Sequence, residues 1–123
     1  MTAAPVQGSG DPRAIAEQFV AARLAARCTP EYPGVIPQSM VEAYAIQDAA
    51  IALYPDQVAG WKVGGVPPAL QPKLGVHRLA GAIFARNVWS MVEDGPTPLP
   101  EIEGGFAAVE AEFVARIGTD ADP

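Results

Sequence analysis

The sequence contains little of what disulfide frameworks, nucleic-acid surfaces and membrane spans are built from. It has one cysteine, one histidine, and only 8 Lys and Arg against 14 Asp and Glu, for a net charge of -6. The single cysteine, Cys28, cannot form an internal disulfide, and we predict it to be a small buried apolar residue. The scarcity of basic residues argues against nucleic acid as a partner. There is no signal-peptide pattern and no apolar run near the ~18 residues of a membrane span, so we expect a cytoplasmic protein without membrane contact.

What the chain does contain is enough for one small domain with many turns. Its 123 residues are 50% hydrophobic, with 12 glycines and 13 prolines. Residues 1 to 10 are small and polar and are predicted to be a disordered tail. Residues 11 to 56 carry helical patterns, and residues 57 to 123 carry strand and turn patterns. Helices followed by strands indicate an α+β fold, with the change of layer near residues 55 to 57.

Two helices are predicted from their start signals and apolar periodicity. In "DPRAIAEQFVAARLAARC", Asp11 is the expected N-cap and Pro12 the first helical residue. In "SMVEAYAIQDAAIALYPD", Ser39 and Glu42 have the spacing of a capping box, and Pro55 ends the helix. The first helix has an apolar stripe that includes Ile15, Phe19, Ala22 and Ala26.

The remaining elements are predicted from β-forming residues and turn signals. We expect a strand in "QVAGWKVGG", a short helix in "PPALQPKLGV" that ends at Gly75, and strands in "AIFARNVWSMV" and near "TPLPEIE" around an "EDGP" turn. His77, in a loop, is predicted to be a surface residue. Four aromatic residues are predicted to lie in the core: Trp61, Trp89, Phe106 and Phe113.

A lysine with glycines on either side is the first candidate for chemistry. In "GWKVGG", period two places Lys62 on one face of the strand with Gly60 and Gly64. Glycines inside a strand leave room for a ligand to approach closely, which favours a binding site. The alternative is an edge-strand lysine that prevents aggregation.

A pair of acids in "AAVEAEFVARIG" is the second candidate. If the run is a strand, Glu110 and Glu112 share one face, and hard carboxylate oxygens there suit Mg²⁺ or Mn²⁺. If it is a helix, Glu112 forms an ordinary i,i+4 pair with Arg116. A solvated acidic strand face is the remaining alternative. Glu101 and Glu103 are further acids that could supply a third carboxylate, but they lie in a loop flanked by Gly and Pro.

These motifs, in their order along the chain, resemble a known family. "AYAIQDA", "GWKVGG", "LGV" and "VEAEF", within residues ~13 to 120, look like the N-terminal half of a 2-keto-4-pentenoate hydratase, of the hydratase/decarboxylase branch of the fumarylacetoacetate hydrolase superfamily. The resemblance implies a helical N-terminal part followed by the start of a mixed β-roll. It also implies a metal-dependent lyase that hydrates a 2-hydroxy-2,4-dienoate in aromatic meta-cleavage catabolism.

The resemblance assigns roles residue by residue. Glu110 and Glu112 resemble two of three metal-binding carboxylates, with Mg²⁺ or Mn²⁺ as the implied cofactor. Lys62 resembles the active-site lysine, and Lys62 with Gly64 would bind the 2-oxo or 2-hydroxydienoate substrate. A homo-oligomer is expected.

Two other functions stay open on the sequence alone. One is the sister activity, a 4-oxalocrotonate decarboxylase, which this half of the sequence does not separate from hydration. The other is a non-catalytic truncated or assembly module. Because the family continues for about as long again, the chain is expected to be an N-terminal fragment that alone binds Mg²⁺ weakly and has no hydratase activity.

Overall fold

The computed structural model describes residues 10 to 119, which form a small α+β domain. The elements within that range are α1 (Pro12–Leu24), α2 (Met40–Leu53), β1 (Val58–Gly65), α3 (Gln71–Leu74) and β2 (Arg78–Phe84), followed by a 3-10 turn at Ala85–Asn87. The α+β class predicted from the sequence is therefore confirmed. The predicted disordered tail lies outside the described residues except for Gly10. Within the described range, no helix has the length and apolar character needed to cross a membrane.

Helix α1 begins as predicted but ends earlier than its apolar stripe suggested. The Asp11 side chain accepts a hydrogen bond from the Arg13 backbone N–H at 3.2 Å, and Pro12 is the first helical residue. After Leu24 the chain reverses at Ala26, whose φ of 52° is left-handed. The Arg27 N–H then bonds the Ala22 carbonyl at 3.0 Å, closing a Schellman-type end. Ala26 therefore does not belong to the helical stripe.

Helix α2 has the predicted capping box in a slightly shifted form. The Glu42 N–H donates to the Ser39 hydroxyl at 3.2 Å. The Glu42 carboxylate accepts from the N–H of Gln38, at 2.6 Å, and not from that of Ser39. The helix ends at Leu53, and Tyr54 caps it just before Pro55.

The sheet within the described range consists of β1 and β2 in antiparallel pairing. Lys62 lies opposite Gly81, Gly65 lies opposite Arg78, and an irregularity occurs between Val58 and Gly60. The connection contains α3, which Gly75 ends in the left-handed conformation (φ 69°) as predicted. His77 is exposed, as predicted, and its Nδ1 lies 2.7 Å from the Gln71 side-chain oxygen.

Two apolar clusters hold these elements together. Ile15 and Ala16 of α1 pack against Ile46 of α2. A second cluster joins Val20, Tyr54 and Phe84, so that α1, the end of α2 and the end of β2 meet in one place. The four aromatic residues predicted to be core are instead exposed: Trp61 54%, Trp89 46%, Phe106 95% and Phe113 108%. Trp61 lies on β1, and the other three lie in segments without regular secondary structure.

An ion pair fixes the loop between α2 and β1 to the end of the sheet. The Asp56 carboxylate accepts the Arg86 backbone N–H at 2.8 Å and lies 3.4 Å from the Arg86 guanidinium nitrogen Nε. The backbone hydrogen bond from Arg86 is the main reason that the pKa of Asp56 lies below its usual value. The pair supports the turn at which β2 ends.

Of the two strands predicted around the "EDGP" turn, the first is formed only in its opening residues "AIF", which are the end of β2, and the second is not formed. β2 stops at Phe84 because the chain turns in 3-10 geometry at Ala85–Asn87, so "AIFARNVWSMV" is not one strand. The "EDGP" turn is present, with Gly95 at φ 108° and the Val92 N–H bonded to the Thr97 hydroxyl at 2.9 Å. Near "TPLPEIE" only an isolated bridge between Arg27 and Glu103 occurs.

The strand predicted within residues 105 to 117 is likewise wrong. Residues 106 to 118 have no regular secondary structure in the part of the chain that the structure describes, neither strand nor helix. An alternating sequence becomes a strand only when a neighbouring backbone pairs with it, and no strand within residues 10 to 119 does so. We call residues 105 to 118 the C-terminal arm.

Candidate functional site

The candidate site is built first on the glycines around Lys62. A Cβ atom added at Gly60 or at Gly81, which lies opposite Lys62, would meet no atom within 4 Å. At Gly64 it would meet only the Leu79 side chain, at 3.9 Å. The strand backbone around Lys62 is therefore not covered by side chains from these glycine positions, which leaves room for a small ligand beside the lysine ammonium group.

The C-terminal arm supplies the opposite side of the site. The Lys62 ammonium donates a hydrogen bond to the Glu112 carboxylate in a close ion pair. Together the sheet and the arm enclose an open groove of about 730 Å³. Its lining includes all four of the predicted site residues: Lys62, Gly64, Glu110 and Glu112. The arm is thus brought to the groove by a side-chain ion pair and not by a strand ladder.

One charged residue of the lining was missed by sequence reasoning. Arg78 begins β2 opposite Gly65, and its guanidinium group would lie 3.7 Å from a Cβ atom placed at Gly65. It lines the same groove as Lys62. Nothing in the sequence reveals this neighbour, because it depends on the register between β1 and β2. The groove consequently holds two cationic and two anionic side chains, an arrangement that suits a ligand carrying carboxylate groups.

The ion pair changes the acidity of Glu112. The hydrogen bond from Lys62 is the main cause that lowers the pKa of Glu112 below its usual value. Partial desolvation opposes this shift, while the lysine charge and a hydrogen bond with the Glu110 side chain add to it. Glu110 lines the same groove as Glu112, so both carboxyl groups border the space that one ligand would occupy.

The pKa shift leads to a prediction about pH. A depressed pKa in the folded state means that this ion pair contributes stability above the pKa of unfolded glutamate and loses it as pH falls through the lower, folded pKa. We expect the Glu112 side-chain carbon resonance to titrate with a midpoint below 4.5, the ordinary glutamate value. Lys62→Met should raise the midpoint toward that value.

Lys73→Met is the matched control, because the Lys73 ammonium contacts the Gln38 amide oxygen and no carboxylate in the groove. It should leave the Glu112 midpoint unchanged. A Glu112 midpoint that does not move in Lys62→Met would show that the ion pair does not form in solution.

The groove matches the implied metal site only in part. Glu110 and Glu112 are hard oxygen donors of the kind that Mg²⁺ and Mn²⁺ prefer. However, residues 10 to 119 contain no group of three or more His, Cys, Asp or Glu side chains placed to hold a metal ion. Two carboxylates leave most of a coordination shell to water and substrate, so the described residues support weak cation binding only.

The two loop acids do not complete this set. The backbone of Glu103 bonds the backbones of Cys28 and Ala26, at the end of α1, and Glu103 does not line the Lys62 groove. Glu101 lines a second groove, of about 800 Å³, which Cys28 also lines.

The prediction that Cys28 is buried is wrong: it is exposed at the end of α1. Gly104 has a left-handed φ of 74°, which favours glycine at this position. A Cβ atom added there would come 2.7 Å from the Cys28 sulfur, so a larger residue would also require the Cys28 side chain to move.

No protein-family model, no curated protein and no solved structure matches this chain. A proposal about function therefore depends on the groove and on the motifs that line it.

Proposed function

We propose that this chain carries the substrate-binding lysine and two metal-binding carboxylates of a metal-dependent lyase that hydrates a 2-hydroxy-2,4-dienoate. One observation carries the proposal: Lys62, Glu110 and Glu112 line a single groove although fifty residues separate Lys62 from Glu112 along the chain. The motif resemblance assigns these same residues to one site. The proposed fold around them is the start of the mixed β-roll of the fumarylacetoacetate hydrolase superfamily.

The Lys62–Glu112 pair suggests how the groove accepts its ligands. A substrate carboxylate entering the groove offers the Lys62 ammonium the same charge-assisted hydrogen bond that Glu112 provides. When the Lys62 ammonium bonds the substrate carboxylate instead, it releases the Glu112 carboxylate. Glu112 can then bind a cation together with Glu110. The lysine then neutralises the substrate and no longer competes with the cation for Glu112.

In this arrangement the residues of the chain bind and orient the substrate. Lys62 holds the C1 carboxylate or relays the proton that moves during hydration. The backbone at Gly64 allows the planar dienoate to lie close to β1. A bound Mg²⁺ or Mn²⁺ would supply Lewis-acid stabilisation of the enolate charge.

The exchange of partners predicts that anion and cation binding help each other. Oxalate presents the paired oxygens of a 2-oxo acid, so it serves as the probe. We expect calorimetry to show tighter oxalate binding with Mg²⁺ than without it, and by linkage tighter Mg²⁺ binding with oxalate. Loss of one charge-assisted hydrogen bond in Lys62→Met should weaken oxalate roughly tenfold or more.

Controls separate this mechanism from general charge effects. Lys73→Met removes a lysine that does not line the groove and should leave oxalate affinity unchanged. Glu112→Gln should reduce the Mg²⁺ dependence. Equal oxalate affinity with and without Mg²⁺ would contradict the proposed site. Weak Mg²⁺ binding and no dienoate hydration are expected for the 123-residue chain, and turnover that Glu110→Gln abolishes would contradict this expectation.

A non-catalytic assembly module is a second candidate function. It is favoured by the exposure of the C-terminal arm, where Val109 is 98% and Val114 93% exposed. Such a module would associate through the arm and bind neither oxalate nor Mg²⁺ in the groove. The calorimetric titration above distinguishes it from the lyase.

A further inference from the structure

The chain exposes far more surface than a compact protein of its size. A folded monomer of 12.8 kDa is expected to expose about 6,300 Å², whereas this chain exposes 10213 Å². Even if the residues outside the described range are allowed the area of an unfolded stretch, roughly 2,000 Å² remain in excess. A standard interface takes about 800 Å² from each partner. The uncovered area is therefore large enough for a stable interface.

Much of the exposed apolar surface lies on the C-terminal arm. The odd-numbered positions from 107 to 117 are all apolar: Ala107, Val109, Ala111, Phe113, Ala115 and Ile117. Phe113 is 108% and Ile117 76% exposed. The even-numbered positions hold Glu112, which the Lys62 ion pair directs toward the sheet of its own chain. Ala111 and Phe113 border the Lys62 groove, whereas Val109 and Ile117 do not line it. If the arm paired as a strand, all the odd-numbered side chains would share the face opposite to that of Glu112.

We propose that the arm is a dimerisation element, which pairs as an antiparallel β-strand with the arm of a second copy of this chain. An antiparallel pair of identical segments has two-fold symmetry and closes as a dimer. It provides the partner backbone that the alternating sequence of the arm lacks within residues 10 to 119. This proposal does not depend on the proposed lyase function, because it requires neither a metal nor a substrate.

Charge determines the register of the pairing. Registers with the two-fold axis at Glu110, Ala111 or Glu112 place a glutamate of one copy opposite a glutamate of the other, which is unfavourable. With the axis at Phe113, Glu110 of each copy lies opposite Arg116 of the other. Within the described residues, neither Glu110 nor Arg116 forms an ion pair in a single copy.

The same register also matches the apolar positions. Phe113 lies opposite itself, Val109 lies opposite Ile117, and Ala111 lies opposite Ala115 of the second copy. With the axis at Val114, Arg116 would instead lie opposite Glu112, which is already paired with Lys62. This register would also place Val109 opposite Thr119. Pairing with Arg116 engages one side of the Glu110 carboxylate and leaves acceptor sites on its oxygens.

A charge-reversal series tests this register. Sedimentation velocity of the full chain over a dilution series should show a dimer that dissociates to monomer. Arg116→Glu and Glu110→Arg each place two pairs of like charges across the symmetric interface, so each should weaken dimerisation about tenfold. Glu110→Arg combined with Arg116→Glu should restore it. A wild-type chain that stays monomeric, or a double variant as weak as the single ones, would overturn the proposal.

Crosslinking tests the register independently of charge. In a Cys28→Ser background the introduced thiols are the only ones, because the chain has one cysteine. Mild oxidation of an equal mixture of Ala111→Cys and Ala115→Cys chains should give a mixed disulfide dimer, since directly opposed residues are close enough for one. Ala111→Cys alone should not crosslink. Self-crosslinking of Ala111→Cys, with none in the mixture, would place the axis elsewhere and overturn the proposed register.

Discussion

Replacing Phe84 with alanine is expected to reduce the free energy of unfolding by about 3 to 5 kcal/mol. Phe84 is 4% exposed at the end of β2 and packs on Tyr54, with ring centroids 4.0 Å apart. The Arg23 guanidinium of α1 lies over both rings, 5.1 Å from the centroid of Phe84 and 5.2 Å from that of Tyr54. Removing the ring therefore creates a cavity where the helices meet the sheet.

The matched control is Phe106→Ala, which removes the same side chain from a position that is 95% exposed. It should change the free energy of unfolding of the monomer by no more than about 0.5 kcal/mol. Urea unfolding followed by circular dichroism, at concentrations where the chain is monomeric, measures both variants. Equal losses in the two variants would show that Phe84 does not join the helices to the sheet.

The helices could be predicted from the sequence because their signals are local. Asp11 with Pro12, and Ser39 with Glu42, act on backbone groups within four residues, and the structure shows both caps. The end of α1 was harder to predict from the sequence. The left-handed turn falls on an alanine, Ala26, where a glycine would have been the usual signal.

The sheet was predictable only in part because strand pairing is non-local. The strand around Lys62 was predicted correctly, but its register against β2, and hence the position of Arg78 in the groove, was not. The alternation around Glu110 and Glu112 shows which side chains share a face. It does not show whether a neighbouring strand exists, and for that reason a segment without regular secondary structure was predicted to be a strand.

Burial was the least predictable property. Hydrophobicity alone assigned Trp61 and Phe113 to the core, whereas the buried aromatic residues are Tyr54 and Phe84. A side chain is buried only if another element packs over it, and the buried cluster at the sheet lies where α1 and the end of α2 meet the end of β2. The site residues Lys62, Gly64, Glu110 and Glu112 were found together in one groove, and their roles stay predictions.

The second large effect is expected at Ile15, the most deeply buried large side chain among the described residues. Ile15 is 0% exposed between α1 and α2 and packs against Ile46, with Phe19 and Tyr32 beside the cluster. The rings of Phe19 and Tyr32 form an edge contact with centroids 5.4 Å apart, and burial raises the pKa of Tyr32. A smaller residue at this position would leave a cavity between the two helices.

Ile15→Ala should therefore reduce the free energy of unfolding by about 2 to 5 kcal/mol, and Ile15→Val by about 0.5 to 1.5 kcal/mol. Ile36→Ala is the matched control, because Ile36 is 60% exposed in the loop before α2, and its change should stay within about 0.5 kcal/mol. The loss in free energy of unfolding should be largest for Ile15→Ala, smaller for Ile15→Val and smallest for Ile36→Ala, because it follows the side-chain volume removed from the buried space. Thermal and urea unfolding both measure this order. If Ile15→Ala and Ile36→Ala cost the same, the contact between the two helices does not stabilise this fold.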